Sequence, residues 1–131
     1  FAHALEGPEG GLHDTVTITL RFAKGSVASI AYFATGDKSF AKERVEVFGG
    51  GTLAVLDDFR EVTISRGGKR KRTRRLSQEK GFAEEVAAFV RAARGEGGPP
   101  ISLASLIATT RATFAIEESL RTGAPVAVTT D

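Results

Sequence analysis

The chain has 131 residues, enough for one domain with one core, and 41% hydrophobic against 26% charged residues is the balance of a folded protein. Cysteine is absent, which excludes disulfides, thiolate catalysis and Cys-type zinc sites, and no apolar run approaches the roughly 18 residues of a membrane span. Formal net charge is +2, yet seven of the 18 Lys and Arg residues fall within residues 66–75 (RGGKRKRTRR), leaving the remainder mildly acidic.

Residues 1–13 hold three glycines and a proline without sustained periodicity, and read as an extended lead-in from an upstream segment. His3 and His13 are the only histidines and read as exposed loop residues, since no third ligand stands near them. The start lacks a basic stretch followed by an apolar one, so no signal peptide is expected. A first residue Phe1, with methionine absent throughout, reads as a processed product or a fragment of something longer.

Residues 14–22, DTVTITLRF, alternate cleanly: Val16, Ile18, Leu20 and Phe22 take one face, and Thr15, Thr17, Thr19 and Arg21 the other. That spacing predicts a half-buried β-strand. After the turn at residues 23–26, residues 27–34 form a second strand, apolar on both faces and therefore placed inside the sheet. A polar loop with Lys38 and Lys42 leads into a strand at residues 43–48. Three glycines follow, Gly49, Gly50 and Gly51, and then a strand at residues 52–56 that ends on Asp57 and Asp58. Consecutive glycines between two strand patterns predict a tight turn with φ > 0.

Residues 59–66 alternate again with Val62 and Ile64 inward. Gly67 and Gly68 turn the chain, and residues 69–76 return as an edge strand whose positive charge resists pairing with strangers. The period then changes. Phe82, Val86, Phe89, Val90 and Ala93 mark an amphipathic helix over residues 80–94, stopped by GEGGPP. Ser102 is placed to cap a second helix from Leu103 to about Arg121, with Leu103, Leu106, Ile107, Phe114 and Leu120 on its apolar face. Gly123 and Pro125 end it, and residues 126–128 are read as able to add a short strand. Strands followed by helices define an α+β class: a mainly antiparallel, open-faced sheet of about six strands with two helices packed on one face. The face carrying Thr15, Thr17 and Thr19 is then solvated or covered by another chain.

No catalytic constellation emerges. Asp57 and Asp58 are adjacent, point to opposite faces on a strand, and read as a strand break. The three glycines lack the following Lys-Ser/Thr and helix of a phosphate loop. The basic run fits phosphate binding or a solvated edge; only one aromatic, Phe59, lies near it, so a stacking platform for nucleic acid is missing and nucleic acid is not expected as a partner. Lys38 and Lys42 are the best ligand-binding candidates, with Tyr32, the only tyrosine, just before their loop.

Residues 14–128 resemble the C-terminal α+β domain of the Gfo/Idh/MocA oxidoreductases, the glucose–fructose oxidoreductase and inositol dehydrogenase family. The resemblance rests on the strand pair TVTITLRFAKGSVASI, the strand-turn-strand RVEVFGGGTLAVLDD and the closing ATTRATFAIEESLRTGAPVAV. It implies residues 14–131 as a single C-terminal domain of an NAD(P)-dependent enzyme acting on sugar- or cyclitol-like substrates. It also implies a cytoplasmic location, a Rossmann domain as the missing partner, and homo-oligomer contacts through the open sheet face. The family's G-x-G-x-x-G, Glu-Lys-Pro and Asp-x-x-x-His stretches are absent. No catalytic, cofactor-binding or metal residue is therefore expected here; NAD or NADP belongs to the full-length protein, and Lys38, Lys42 and Tyr32 are expected to line the substrate side.

Overall fold

The computed structural model describes residues 1–5 and 14–129. In chain order these form β1 (Ala2–Ala4), β2 (Thr15–Arg21), β3 (Val27–Phe33), β4 (Arg44–Gly49), β5 (Thr52–Asp57), β6 (Glu61–Arg66), β7 (Lys69–Arg74), α1 (Phe82–Ala93) and α2 (Leu103–Thr122). The fold is α+β, and every strand pairing is antiparallel. The strands divide between two sheets, ordered β1-β2-β3 and β4-β5-β6-β7. Contacts likewise group the chain into two units: Phe1–Gly36 with Pro99–Asp131, and Asp37–Gly98.

In the first unit β2 is the central strand, with Ala2 and Ile30 flanking Ile18. β3, expected inside a sheet, is an edge strand here. Its two apolar faces reflect side chains left uncovered: Ile30, Tyr32 and Phe33 are all exposed. The lead-in contributes β1, so His3 stands on a strand, edge-on to Phe1 at 4.3 Å between ring centroids. Three residues are too few to show an alternation in sequence. His13 lies outside the described residues.

α2 begins and ends as its sequence predicts. The Ser102 hydroxyl accepts the Ser105 amide at 3.2 Å, and Gly123 closes the helix at φ 65°. The side it buries is not the expected one. Ser119 is 1% exposed and meets β1, whereas Leu103, Leu106, Ile107 and Phe114 lie open, Phe114 at 68%. Ser119 falls five residues past Phe114, about 140° round the helix. Small side chains let a helix approach a strand closely, and here that approach allows the Ser119 hydroxyl to take the Ala2 amide. Of the expected apolar set only Leu120 is half-buried. Residues 126–128 form no strand; Arg111 holds the segment after α2 through the Thr129 carbonyl at 3.0 Å.

The second unit is a four-stranded meander. Two-residue turns at Gly50-Gly51 (φ 55° and 69°) and Gly67-Gly68 (φ 56° and 73°) join β4 to β5 and β6 to β7, in the left-handed region that hairpin turns require. The register gives the sheet two unlike faces. On one, Val45, Leu56 and Val62 align across the strands, followed by Val47, Ala54 and Ile64. On the other, Arg44, Asp57, Glu61 and Arg74 form one row, and Glu46, Val55, Thr63 and Arg72 the next. β7 is an edge strand as its charge suggests, and it splits the basic run: Lys69 and Lys71 share the apolar face, Arg70, Arg72 and Arg74 the charged one.

The apolar face of this sheet stays open, with Val47 at 58% exposure. α1 forms over the expected stretch, yet none of its residues is buried. The expected packing of two helices on the strands is thus met by α2, on β1; α1 leaves Phe82, Val86 and Phe89 exposed.

Candidate functional site

The turn between β5 and β6 is held by several hydrogen bonds to other segments of the second unit. Asp58 and Phe59 both adopt left-handed backbone, φ 49° and 52°, which costs a side-chain-bearing residue energy and persists only where the surroundings enforce it. Hydrogen bonds supply the enforcement. The Arg60 amide donates to the Asp57 carbonyl at 2.9 Å, the Asp58 amide to Glu43 at 2.7 Å, and the Glu79 amide to the Phe59 carbonyl at 2.9 Å. The turn therefore pins two separate segments, the loop before β4 and the stretch before α1.

Side chains complete the attachment. Gln78 donates to Asp58 Oδ1 at 2.7 Å, Arg60 Nε lies 3.3 Å from Asp58 Oδ2, and Lys80 Nζ lies 3.7 Å from Glu43 Oε1. The Lys80 ammonium also stands 5.6 Å above the Phe59 ring, a cation–π arrangement. Across from them, the loop folds on Asp37: its Oδ1 accepts the Ser39 amide at 2.8 Å and the Ser39 hydroxyl at 2.7 Å. The Ser39 hydroxyl first, and then its amide, hold the Asp37 carboxyl below the usual aspartate range.

Between these parts lies a cleft of about 510 Å³, lined by residues 38–43, Asp58, Arg60, Gln78 and Lys80. Its four cations are not equivalent. Arg60 and Lys80 are matched to Asp58 and Glu43, whereas Lys38 and Lys42 have no ion-pair partner among the described residues. Phe40 stands between them in sequence and is 80% exposed. The cleft thus offers two free ammonium groups and an open aromatic ring on one loop.

Lys38 and Lys42, singled out in the sequence, line the same cleft. Tyr32 belongs to the other unit, on β3 opposite Val16, and is exposed. Sequence reading missed Arg60, Gln78 and Lys80, whose place depends on the Asp58-Phe59 turn. A strand ending in two aspartates signals a turn, but not that two distant segments fasten to it.

A second cavity, about 580 Å³, lies at the hairpin tips and is lined by Arg66, Lys69 and Arg70 together with Phe48, Thr52 and the turn glycines. Phe48 shares a cross-strand row with Leu53, Ser65 and Arg70 and is 73% exposed. An aromatic side chain thus stands by the basic run after all, supplied by β4. Arg72 is engaged elsewhere: it binds Glu61, and this hydrogen bond chiefly holds the Glu61 carboxyl below the usual glutamate range.

Among the described residues no group of three or more His, Asp or Glu side chains could hold a metal ion, and no helix is long and apolar enough to cross a membrane. Comparison with protein-family models, with curated proteins and with solved structures returns no match for the chain.

Proposed function

We propose that the chain is the substrate-side and assembly domain of an NAD(P)-dependent oxidoreductase of the Gfo/Idh/MocA type, working in the cytoplasm on sugar- or cyclitol-like substrates. The cofactor and the hydride-transfer residues belong to a Rossmann domain of the same enzyme. This domain contributes one wall of the substrate pocket through Lys38 and Lys42, and contacts between subunits through a sheet face. Alone it catalyses nothing.

The observation that carries the reading is the open face of the four-stranded sheet, where Val45, Val47, Val62 and Ile64 lie exposed in rows with the half-buried Leu56. Contiguous apolar surface of this kind marks a protein contact. Sedimentation of the chain at micromolar concentration is expected to show self-association; a strict monomer removes the assembly role. In the enzyme that carries this domain, NAD+ or NADP+ is expected to be reduced in the presence of polyols, with a rise in absorbance of the reduced nicotinamide. Absence of nicotinamide binding removes the oxidoreductase reading.

A second reading, a polyanion or nucleic-acid module, draws on Phe48 in one row with Arg70, at a cavity also lined by Arg66 and Lys69 and by no carboxylate. Its test is salt-dependent affinity for single-stranded nucleic acid, which falls steeply with salt when phosphates are contacted. Salt-insensitive or undetectable binding sets this reading aside.

A further inference from the structure

We infer that the cleft of the Lys38–Lys42 loop binds a phosphate-bearing sugar-like molecule in preference to a neutral one. The inference deepens the substrate-wall reading above and rests on it for the sugar, while the anion follows from the cleft itself.

The charge pattern comes first. Four cations and two carboxylates line the cleft, and the two carboxylates are already matched, Asp58 to Arg60 and Glu43 to Lys80. The surplus is two positive charges, and both belong to one short loop, at Lys38 and Lys42. Two ammonium groups supply several hydrogen-bond donors and no acceptor, which suits a dianionic phosphate better than a hydroxyl or a single-charged carboxylate. The remaining cations are held in place: Lys80 by Glu43 and the Phe59 ring, Arg60 by Asp58. They are engaged by those carboxylates, which leaves Lys38 and Lys42 as the cations available to a ligand.

The loop is also shaped in advance. Asp37 ties back Ser39, and the Phe40 amide donates to the Asp37 carbonyl at 3.1 Å, so the residues between the two lysines start from a fixed turn. Pre-ordering of this kind lowers the entropy lost on binding. Phe40, between the two lysines in sequence, then adds an exposed ring to the lining of the same cleft. The apolar face of a sugar ring stacks on such a surface, and a cleft of about 510 Å³ has room for a ring and a phosphate together.

The test is a titration of the 131-residue chain by NMR or calorimetry with glucose 6-phosphate, inorganic phosphate, glucuronate and glucose, with no nicotinamide cofactor present. Glucose 6-phosphate is expected to bind saturably and more tightly than the other three. Replacing both lysines (Lys38→Ala with Lys42→Ala) is expected to weaken it by about tenfold or more, the loss expected for removed charge-assisted hydrogen bonds. Lys38→Arg with Lys42→Arg keeps the charge and is expected to retain binding. Phe40→Ala is expected to weaken glucose 6-phosphate and leave inorganic phosphate unchanged. Circular dichroism of each variant separates lost binding from lost folding. Glucose or glucuronate binding as tightly as glucose 6-phosphate overturns the inference, as does undiminished binding in a folded double-alanine variant. Hydride transfer plays no part in this measurement, so its failure and the failure of the oxidoreductase reading are told apart.

Discussion

The Ser119 hydroxyl accepts the Ala2 amide at 3.0 Å and donates to the Ala124 carbonyl at 2.7 Å, tying β1, the body of α2 and the segment after Gly123 together through one side chain. Ser119 is the most buried side chain among the described residues. In Ser119→Ala the Ala2 amide loses its partner in a dry site, which costs about 1–3 kcal/mol. Thermal melting of the variant is expected to shift down by about 4 °C per kcal/mol lost. An unshifted melt means that water reaches the Ala2 amide and that this contact is ornamental.

The turn glycines make a second, independent prediction. Gly51 sits at φ 69°, with open space where a Cβ would project, so a substitution there is strained by backbone conformation alone. Gly51→Ala is expected to cost about 1 kcal/mol, and Gly51→Val more, since branching at Cβ worsens the left-handed conformation. Gly49, whose φ is not positive, is expected to accept alanine with a smaller loss. Chemical denaturation of the three variants orders them, and equal stabilities would remove the turn argument.

These two sites mark the border of what the sequence discloses. Period-two alternation and glycine pairs made the strands and both hairpin turns of the second unit legible, because those signals are local. Ser102 and Gly123 announced the ends of α2 for the same reason. The buried side of α2 was not legible: counting large apolar residues chose Phe114, whereas close approach to β1 favours Ser119, and nothing near position 119 reveals a strand at Ala2. The division into two sheets was hidden likewise, because pairing partners of an edge strand are decided at long range. For the cleft, two lysines on one loop could be read directly. Arg60, Gln78 and Lys80 could not, since they arrive through a turn whose two left-handed residues are aspartate and phenylalanine rather than glycine.

The open sheet face predicts how association should respond to charge. Val47 pairs with Ala54 at the middle of β4, next to Ile64 on the following strand. Val47→Lys places an ammonium group in the centre of that apolar row while leaving the strand pairing intact. Monomer stability is expected to change by no more than about 0.5 kcal/mol, as for other exposed sites, while self-association weakens strongly. Sedimentation and a denaturation curve measure the two effects separately. An unchanged association constant would move the contact to the exposed apolar stripe of α1.

The charge inventory of the cleft predicts a gain as well as a loss. Glu43 pairs with Lys80 at 3.7 Å, a partly exposed contact of the kind that contributes about 0–1 kcal/mol. Glu43→Gln removes one negative charge and frees the Lys80 ammonium while leaving stability nearly unchanged. Affinity for glucose 6-phosphate is expected to rise by about twofold to fivefold at low salt and to return toward the parent value as salt screens the cleft. A fall in affinity would mean that Glu43 accepts a hydroxyl of the ligand and is not merely a counter-charge.

The last prediction concerns pH and the turn that shapes the loop. Asp37 accepts two hydrogen bonds from Ser39, and its carboxyl titrates lower in the folded chain than in an unfolded one. The stabilisation it gives is therefore complete above the unfolded aspartate value and is lost as pH falls through the lower, folded value. At neutral pH the carboxylate is ionised and this contact is complete, and its loss is confined to the acid range below about pH 4. The Ser39 amide resonance followed against pH is expected to show a midpoint below that of a short peptide spanning residues 35–42. Asp37→Asn keeps an acceptor oxygen but no charge and is expected to abolish the titration while retaining part of the turn. A Ser39 midpoint equal to the peptide's would mean that the loop is not held by Asp37, and the pre-ordering assigned to the cleft would fall with it.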